Sequence, residues 1–223
     1  MKEIVLDTET TGLLVSEGHR IVEIGCIELD NLVPTSNKFH CYLNPERKVS
    51  EKAMEVHGYT DEFLSDKKKF KEVADDFLEF IKNKKLIIHN AEFDVSHLNH
   101  ELQLIGKNII NKENVVDTLE LARDKFPGSG ISLDALCKRY RIDNSKREKH
   151  TALIDCELLS KVYINLLGQR EPTLDFNSKT ENKKNFETDI TIDYYKKIIM
   201  PTPEELKLHK EYIKISLKKN NFN

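Results

Sequence analysis

Residues 4–12, IVLDTETTG, join a short apolar run to two acidic residues that are two positions apart. Because successive side chains of a β-strand point to opposite faces, Asp7 and Glu9 would point the same way. Neighbouring carboxylates repel each other and are costly to bury unpaired, and a divalent cation such as Mg²⁺ or Mn²⁺ relieves both costs. The segment therefore predicts a strand that ends in a metal site, although two acids on an exposed strand end would give the same pattern.

Hydrophobic periodicity predicts the elements around this segment. Strands are expected at 4–7, 20–29, 38–43, 86–89 and 115–116, and helices at 68–83, 93–105, 118–125, 133–140 and 151–167. Strands come first, and helices then alternate with strands. This order predicts an α/β fold in which helices pack on the faces of a mixed β-sheet.

The composition of the 223-residue chain changes after Gly168. We expect a folded domain over residues 1–168, a flexible polar linker over 169–189 and a C-terminal segment over 190–223. Within that last segment, residues 202–205 (TPEE) are typical of a helix start, and apolar residues recur at helical spacing beyond them. Because an isolated helix of this length is marginal in water, we expect it to dock on a partner.

Charge and cysteine content restrict the class of protein. A net charge of −3 provides no global positive field for nucleic acid, so any polyanion must be held by local groups, metal ions or a partner. The four cysteines form no CxxC pair, which is typical of reduced thiols in the cytoplasm. The sequence has neither a signal peptide nor a run long enough to span a membrane, so we expect a cytoplasmic protein without a membrane partner.

Two further acids stand at expected element boundaries. Asp94 ends the segment 89–94 (HNAEFD), and Asp155 ends the segment 150–155 (HTALID). Strand ends that precede helices are where α/β sheets place their sites, although aspartates near helix starts are also common as caps. Asp155 and His150 do not share a helical face, but His150 could reach the same site from the preceding loop.

The four acids and the histidine together resemble the DEDDh, or DnaQ-like, family of 3′–5′ exonucleases. Asp7 and Glu9 match its first motif, Asp94 the second, and His150 with Asp155 the third. Segments 17–25 (EGHRIVEIG), 56–58 (VHG), 117–123 (DTLELAR) and 132–146 (SLDALCKRYRIDNSK) resemble the subgroup that proofreads for bacterial replicative polymerases. The resemblance covers residues 3–168 and, less closely, the tail.

This resemblance implies a ribonuclease H-like sheet and two-metal hydrolysis of DNA from its 3′ end. Mispaired terminal nucleotides would leave as deoxynucleoside monophosphates. Two Mg²⁺ ions, for which Mn²⁺ can substitute, would be held by Asp7, Glu9, Asp94 and Asp155, while His150 would accept the proton of the attacking water.

The resemblance also indicates which residues hold the last nucleotide. They are Asp7, Thr8, Glu9, Thr10, His57, Asn90, Phe93 and Asp155. The rings of His57 and Phe93 could pack on the base or sugar, since stacking tolerates any sequence. Phe93 is equally well suited to anchor its helix in the core.

The C-terminal segment indicates the expected protein partners. In the family, the segment after the exonuclease domain tethers it to the polymerase (alpha) subunit, and residues 190–223 resemble that segment. Residues 171–176 (EPTLDF) resemble a sliding-clamp-binding peptide through Leu174 and Phe176, but Glu171 stands where such peptides usually have glutamine. A linker with two incidental apolar residues is the alternative.

Two other functions remain open from the sequence. One is a DEDDh exoribonuclease that trims RNA 3′ ends, and the other is a non-catalytic scaffold module of the replisome. A scaffold would be expected to have lost some of the acids, whereas this chain retains all four and the histidine.

Overall fold

The computed structural model describes residues 2–147, 149–168 and 201–216. Its centre is a five-stranded sheet with the strand order β3-β2-β1-β4-β5. The strands are β1 (Lys2–Thr10), β2 (Ile21–Asp30), β3 (Val33–Tyr42), β4 (Lys85–Ile88) and β5 (Val115–Asp117). β1 pairs antiparallel with β2 and parallel with β4, so the sheet is mixed, as predicted.

Helices cover both faces of this sheet. Those in the described ranges are α1 (Glu51–His57), α2 (Asp61–Ser65), α3 (Phe70–Ile81), α4 (Ala91–Leu104), α5 (Thr118–Lys125), α6 (Leu133–Tyr140), α7 (Ala152–Leu166) and α8 (Pro203–Ser216). Short 3-10 segments lie at Val15–Glu17 and Lys112–Asn114. Helices α3 to α7 lie where the periodicity predicts them, to within a few residues.

Hydrophobic periodicity does not predict α1 and α2. The ends of α1 are well defined: the Ser50 hydroxyl accepts from the Ala53 N–H, and Gly58 ends the helix with a φ of 80°. Only His57 is buried within α1, so it has no apolar stripe to detect. β3 likewise begins at Val33 rather than at residue 38, because the first half of this strand is largely exposed and polar.

Alternate side chains of β1 pack into opposite layers. Ile4 and Leu6 join the cluster formed with α3 and α4, while Val5 joins the cluster formed with α5, α6 and α7. Each is fully buried, and burial of an aliphatic side chain contributes about 1.5–3 kcal/mol. By the same alternation, Asp7 and Glu9 continue the face of Val5 and point toward the layer that contains α7.

The start of α7 packs against Gly25 of β2. A Cβ at Gly25 would lie 2.6 Å from the backbone carbon of Ala152, closer than packed atoms allow. Gly25 is the register partner of Asp7. Because position 25 lacks a side chain, the first turn of α7 can lie directly on the sheet beside Asp7.

The C-terminal helix α8 belongs to a second unit of the chain. It begins with a capping box, in which the Thr202 hydroxyl accepts from the Glu205 N–H and the Glu205 carboxylate accepts from the Thr202 N–H. The expected linker at 169–189, and with it Leu174 and Phe176, lies outside the described residues.

Within the described part of the chain, no helix has both the length and the hydropathy of a membrane span. All four cysteines are free thiols.

Candidate active site

The carboxyl end of β1 borders a cavity of about 320 Å³. Its walls are formed by Asp7, Thr8, Glu9, His89, Asn90, Phe93, Asp94, Ser132, Leu133, Asp134, Arg147, His150 and Asp155. The four acids and the histidine singled out from the sequence therefore come together. They meet because β1 and β4 are parallel, so that the loops after both strands open at one edge of the sheet.

Asp7 and Glu9 form the acidic floor of this cavity. Burial, followed by the charges of Asp94 and Glu9, raises the pKa of Asp7 well above its usual range. Burial, followed by the charge of Asp155, raises the pKa of Glu9 to about 8. Both shifts arise from burial and, after it, from neighbouring negative charges, so the cluster favours the binding of positive charge.

Asp94 lies in the first turn of α4 and is hydrogen-bonded to β1. Its Oδ1 accepts from the Thr8 N–H at 2.9 Å and from the Thr8 hydroxyl at 2.7 Å. The N-cap position of α4 belongs to Asn90, whose φ is 68°. Burial raises the pKa of Asp94 to about 7, although the bonds from Thr8 lower it. Asp94 thus joins the floor of the cavity and is not the cap of its own helix.

Asp117 holds the loop that precedes α4. Its carboxylate accepts from the N–H groups of Asn90 (3.1 Å), Ala91 (3.0 Å) and Leu119 (2.8 Å). It therefore caps α5 and also holds the start of α4.

Asp155 and His150 reach the cavity from α7 and from the loop before it. His150 Nδ1 lies 3.5 Å from Asp155 Oδ2, and the His150 N–H donates to the Val56 carbonyl at 3.2 Å. Ligand atoms of Glu9, His150 and Asp155 all lie within 4.8 Å of one another, so these three residues could share one ion. Burial and the charge of Arg147 lower the pKa of His150. Its imidazole is therefore neutral near pH 7.

Arg147 is a site residue that the sequence pattern does not reveal. Its guanidinium donates to both oxygens of Asp155, at 2.6 and 2.7 Å, and to Asp134 at 2.7 Å. The same group contacts His150 Nδ1 at 2.9 Å. Arg147 lies three residues before His150 in the sequence and is a permanent cation next to the predicted acid cluster. This proximity is the signal that could have identified it.

Glu23 is a second residue that the sequence analysis misses. It is fully buried on β2 and accepts from His40 Nε2 (2.7 Å), the Tyr59 hydroxyl (2.8 Å) and the Ala152 N–H (2.9 Å). The last bond holds the N-terminus of α7, which supplies Asp155. An acid inside the apolar run 21–27 (IVEIGCI) of β2 is the available signal, because such a group is buried only when it is paired.

A more apolar cavity of about 570 Å³ adjoins the acidic one and shares Glu9 and Phe93 with it. Thr10 and His57 line it, together with the exposed Leu13, which the sequence analysis also misses. The His57 ring is fixed from two sides, since Nδ1 accepts from the Tyr59 N–H at 3.0 Å and Nε2 donates to the Thr10 carbonyl at 3.2 Å. Every residue expected to hold a nucleotide therefore lines one of two adjoining cavities.

The donor set fits divalent cations. Asp7, Glu9, Asp94 and Asp155 are four carboxylates around one cavity, and Arg147 supplies a single positive charge to them. Hard oxygen ligands with excess negative charge are the environment that Mg²⁺ and Mn²⁺ prefer.

The raised pKa values of Glu9 and Asp94 make the stability of the metal-free domain depend on pH. Their folded-state values of about 8 and about 7 exceed the ordinary 4.5 and 3.8, so the folded state binds these protons more tightly. Their contribution to the free energy of unfolding is complete below about pH 4 and is lost as the pH rises through about 7 to 8. We expect the Tm in EDTA to fall between about pH 6 and pH 9, and Asp94→Asn to raise it at about pH 9 by about 5 °C.

The control for this measurement is Glu92→Gln, which removes an exposed acid from the same helical turn. Asparagine at position 94 keeps the oxygen that accepts from Thr8, so the comparison isolates the charge. A Tm that falls equally steeply in Asp94→Asn and in the wild type would contradict the expectation.

Comparisons with known proteins agree with this geometry. Residues 4–163 match the family RNase_T, described as an exonuclease. The DNA polymerase III subunit epsilon of Rickettsia felis is 48% identical in an alignment of 224 positions that covers 98% of each chain. That of Haemophilus influenzae is 40% identical in an alignment of 238 positions that covers 100% of this chain and 93% of the other.

Solved structures share the fold. Exonuclease X in complex with 5′ overhanging duplex DNA is 25% identical, with a TM-score of 0.60 over 75% of this chain and 92% of that one. The nuclease domain of 3′hExo, a DEDDh family member bound to rAMP, is 18% identical, with a TM-score of 0.66 over 76% and 92%. The resemblance to DEDDh exonucleases is confirmed, and that family depends on divalent metal ions. By these matches the chain belongs to the family of DNA polymerase III epsilon subunits, the proofreading 3′–5′ exonucleases.

Proposed function

We propose that this chain removes mispaired nucleotides from the 3′ end of DNA at the cavity beside β1 and releases deoxynucleoside monophosphates. The observation that carries the proposal is the convergence of Asp7, Glu9, Asp94, Asp155 and His150 on a single cavity. The adjoining apolar cavity offers space for a base next to those groups.

Asp7, Glu9, Asp94 and Asp155 would hold two Mg²⁺ ions, with Mn²⁺ able to replace them, because all four present hard oxygen ligands. Such ions, when bound, lower the pKa of a water molecule and stabilise negative charge on the leaving oxygen. The chain supplies the framework for this chemistry. β1 fixes Asp7 and Glu9 on one face, Thr8 fixes one oxygen of Asp94, and the first turns of α7 present Asp155.

His150 is the proposed general base. Its lowered pKa keeps the imidazole neutral, and a neutral ring nitrogen can accept the proton of an attacking water. The bond from its N–H to the Val56 carbonyl ties its backbone to the helix that ends in His57. His150 is therefore linked to the wall of the apolar cavity.

The terminal nucleotide would contact the residues between the two cavities. Thr8, Thr10 and Asn90 offer polar groups, and the rings of His57 and Phe93 offer surfaces for a base or sugar. The Phe93 ring packs on His97 with centroids 4.6 Å apart and stays partly exposed. A ring supported in this way is suited to stacking on any base, which an exonuclease acting on all sequences requires.

The C-terminal segment 190–223 is proposed as the tether to the polymerase (alpha) subunit. Leu206, Leu208 and Tyr212 of α8 are exposed apolar side chains, and such residues favour docking on a partner. The curated relatives are polymerase subunits by name and match nearly the whole chain, which supports this assignment. The proposal also includes a contact of Leu174 and Phe176 with the sliding clamp.

A comparison of the full chain with a version that ends at Gly168 tests site and tether together. Residues 1–168 lie within one compact unit, so the shorter chain is expected to fold. We expect both chains to degrade a single-stranded DNA oligomer with Mg²⁺ at similar rates. Only the full chain should co-purify with the polymerase subunit.

A matched RNA oligomer tests the two alternative functions, which the epsilon-subunit relatives disfavour. Faster cleavage of RNA than of DNA would favour an exoribonuclease, and binding to the polymerase without cleavage of either would favour a scaffold. Either outcome would contradict the proposed function, whereas polymerase binding by the shorter chain would contradict only the tether.

A further inference from the structure

Arg147 uses its guanidinium to engage three groups of the candidate active site at once. Nε and Nη2 donate to the two oxygens of Asp155 at 2.6 and 2.7 Å, and Nη1 donates to Asp134 at 2.7 Å. Nη2 also contacts His150 Nδ1 at 2.9 Å. The Arg147 side chain is only 7% exposed, so these contacts are shielded from solvent.

The first consequence concerns Asp155. Both of its oxygens are occupied by a bidentate guanidinium, which is the strong form of a carboxylate–arginine pair. Glu9, His150 and Asp155 are also the residues whose ligand atoms lie close enough to share one ion. Arg147 takes one lone pair of each Asp155 oxygen, so a cation would have to share this carboxylate with the guanidinium, and two positive charges on one carboxylate repel each other.

The second consequence concerns His150. A guanidinium stays protonated and can only donate, so His150 Nδ1 is the acceptor in their contact. The neutral imidazole must then carry its proton on Nε2. Neither ring nitrogen is free to accept a proton from water while Arg147 stays in this position.

We propose that Arg147 is a latch, which holds Asp155 and His150 together and must withdraw from both before they can serve as a metal ligand and a base. The inference rests on the proposed function, because it takes the roles of Asp155 and His150 from there. The inference adds Arg147 to the site, because its withdrawal would release Asp155 as a metal ligand and His150 as the base at the same time.

Asp134 can retain the Arg147 side chain after it leaves Asp155. It lies in the first turn of α6, its carboxylate is 56% exposed, and Asn144 Nδ2 donates to its other oxygen at 2.9 Å. Arg147 can therefore keep its bond to Asp134 while releasing Asp155. Arg147 and His150 both lie in the segment between α6 and α7.

The test is Mn²⁺ binding to the full chain, measured by electron paramagnetic resonance. Arg147→Met keeps an unbranched side chain, shorter than that of arginine, and removes its charge and donors. We expect this variant to bind Mn²⁺ about tenfold more tightly than the wild type, because a competing positive charge is gone. Without metal its Tm should be lower, since Asp155 has lost its partner, and the rise in Tm on adding Mn²⁺ should be larger.

Arg139→Met is the matched control, because Arg139 packs over the Phe126 ring, away from the acids. It should leave Mn²⁺ affinity unchanged. Unchanged or weaker Mn²⁺ binding in Arg147→Met, with normal binding and cleavage in the wild type, would overturn the latch and leave the proposed function standing. No Mn²⁺ binding in any variant, together with no cleavage by the wild type, would overturn both.

A measurement on the wild type keeps the inference testable if Arg147→Met does not fold. Long-range ¹⁵N NMR spectra distinguish the two neutral histidine tautomers, and a His150→Asn spectrum assigns the signal. We expect the Nε2–H form without metal and a change in both ring nitrogens on adding diamagnetic Mg²⁺. An Nδ1–H form in the metal-free protein would contradict the latch.

Discussion

Replacement of Asp7 by asparagine is expected to lower the rate of 3′-terminal hydrolysis by about 10⁴-fold while the domain stays folded. Asp7 lies among Glu9, Asp94 and Asp155, and all three charges raise its pKa. Asparagine keeps the shape and removes the charge that a metal ligand needs. Because the substitution also relieves repulsion within the cluster, the Tm in EDTA should not fall.

Single-turnover cleavage of a labelled DNA oligomer with Mg²⁺ measures this effect. The control is again Glu92→Gln, which removes an exposed acid from α4 outside the acidic cavity and should leave the rate unchanged. An Asp7→Asn rate within tenfold of the wild type would show that the chemistry takes place elsewhere.

The second large effect is expected at His150. His150→Gln should lower kcat by about 10² to 10³-fold, the usual contribution of a general base, with Mn²⁺ affinity changed much less. The wild-type rate should fall as the pH drops through the pKa of His150, which burial and Arg147 place below its ordinary value. Only the neutral imidazole can accept a proton, so the variant should lose this acid limb.

His100→Gln provides the comparison for this prediction, since His100 lies on α4 and outside both cavities. It should keep the wild-type rate and pH profile. An acid limb that persists unchanged in His150→Gln would remove the role assigned to that residue.

The sequence predicts the parts of the site that depend on strand alternation and on element order. Asp7 and Glu9 share a face because they are two residues apart on a buried strand. The mixed sheet follows from strands that precede alternating helices and strands. The convergence of Asp94 and Asp155 with them was available from the family resemblance, since no local rule brings residues 61 positions apart to one cavity.

Other features depend on tertiary contacts that leave little trace in a local pattern. The target of Arg147 is set by how the chain runs between α6 and α7, and loops of this kind have no periodicity. Glu23 is buried on a strand that reads as apolar, and its three partners come from β3, from the segment after α1 and from α7. Helices α1 and α2 are missed for a related reason, because few of their side chains face the core.

The contact between Gly25 and the first turn of α7 has a consequence for replication accuracy. At this point the first turn of α7, which carries Asp155, and the strand beside Asp7 are spaced by two backbones in direct contact. A heritable change that adds one methyl group at position 25 would push the two halves of the site apart and leave every ligand in the gene intact. Mutations that raise the replication error rate therefore need not lie at the acids. A survey of genomes that checks only the acidic motifs would classify an inactive proofreading subunit as active.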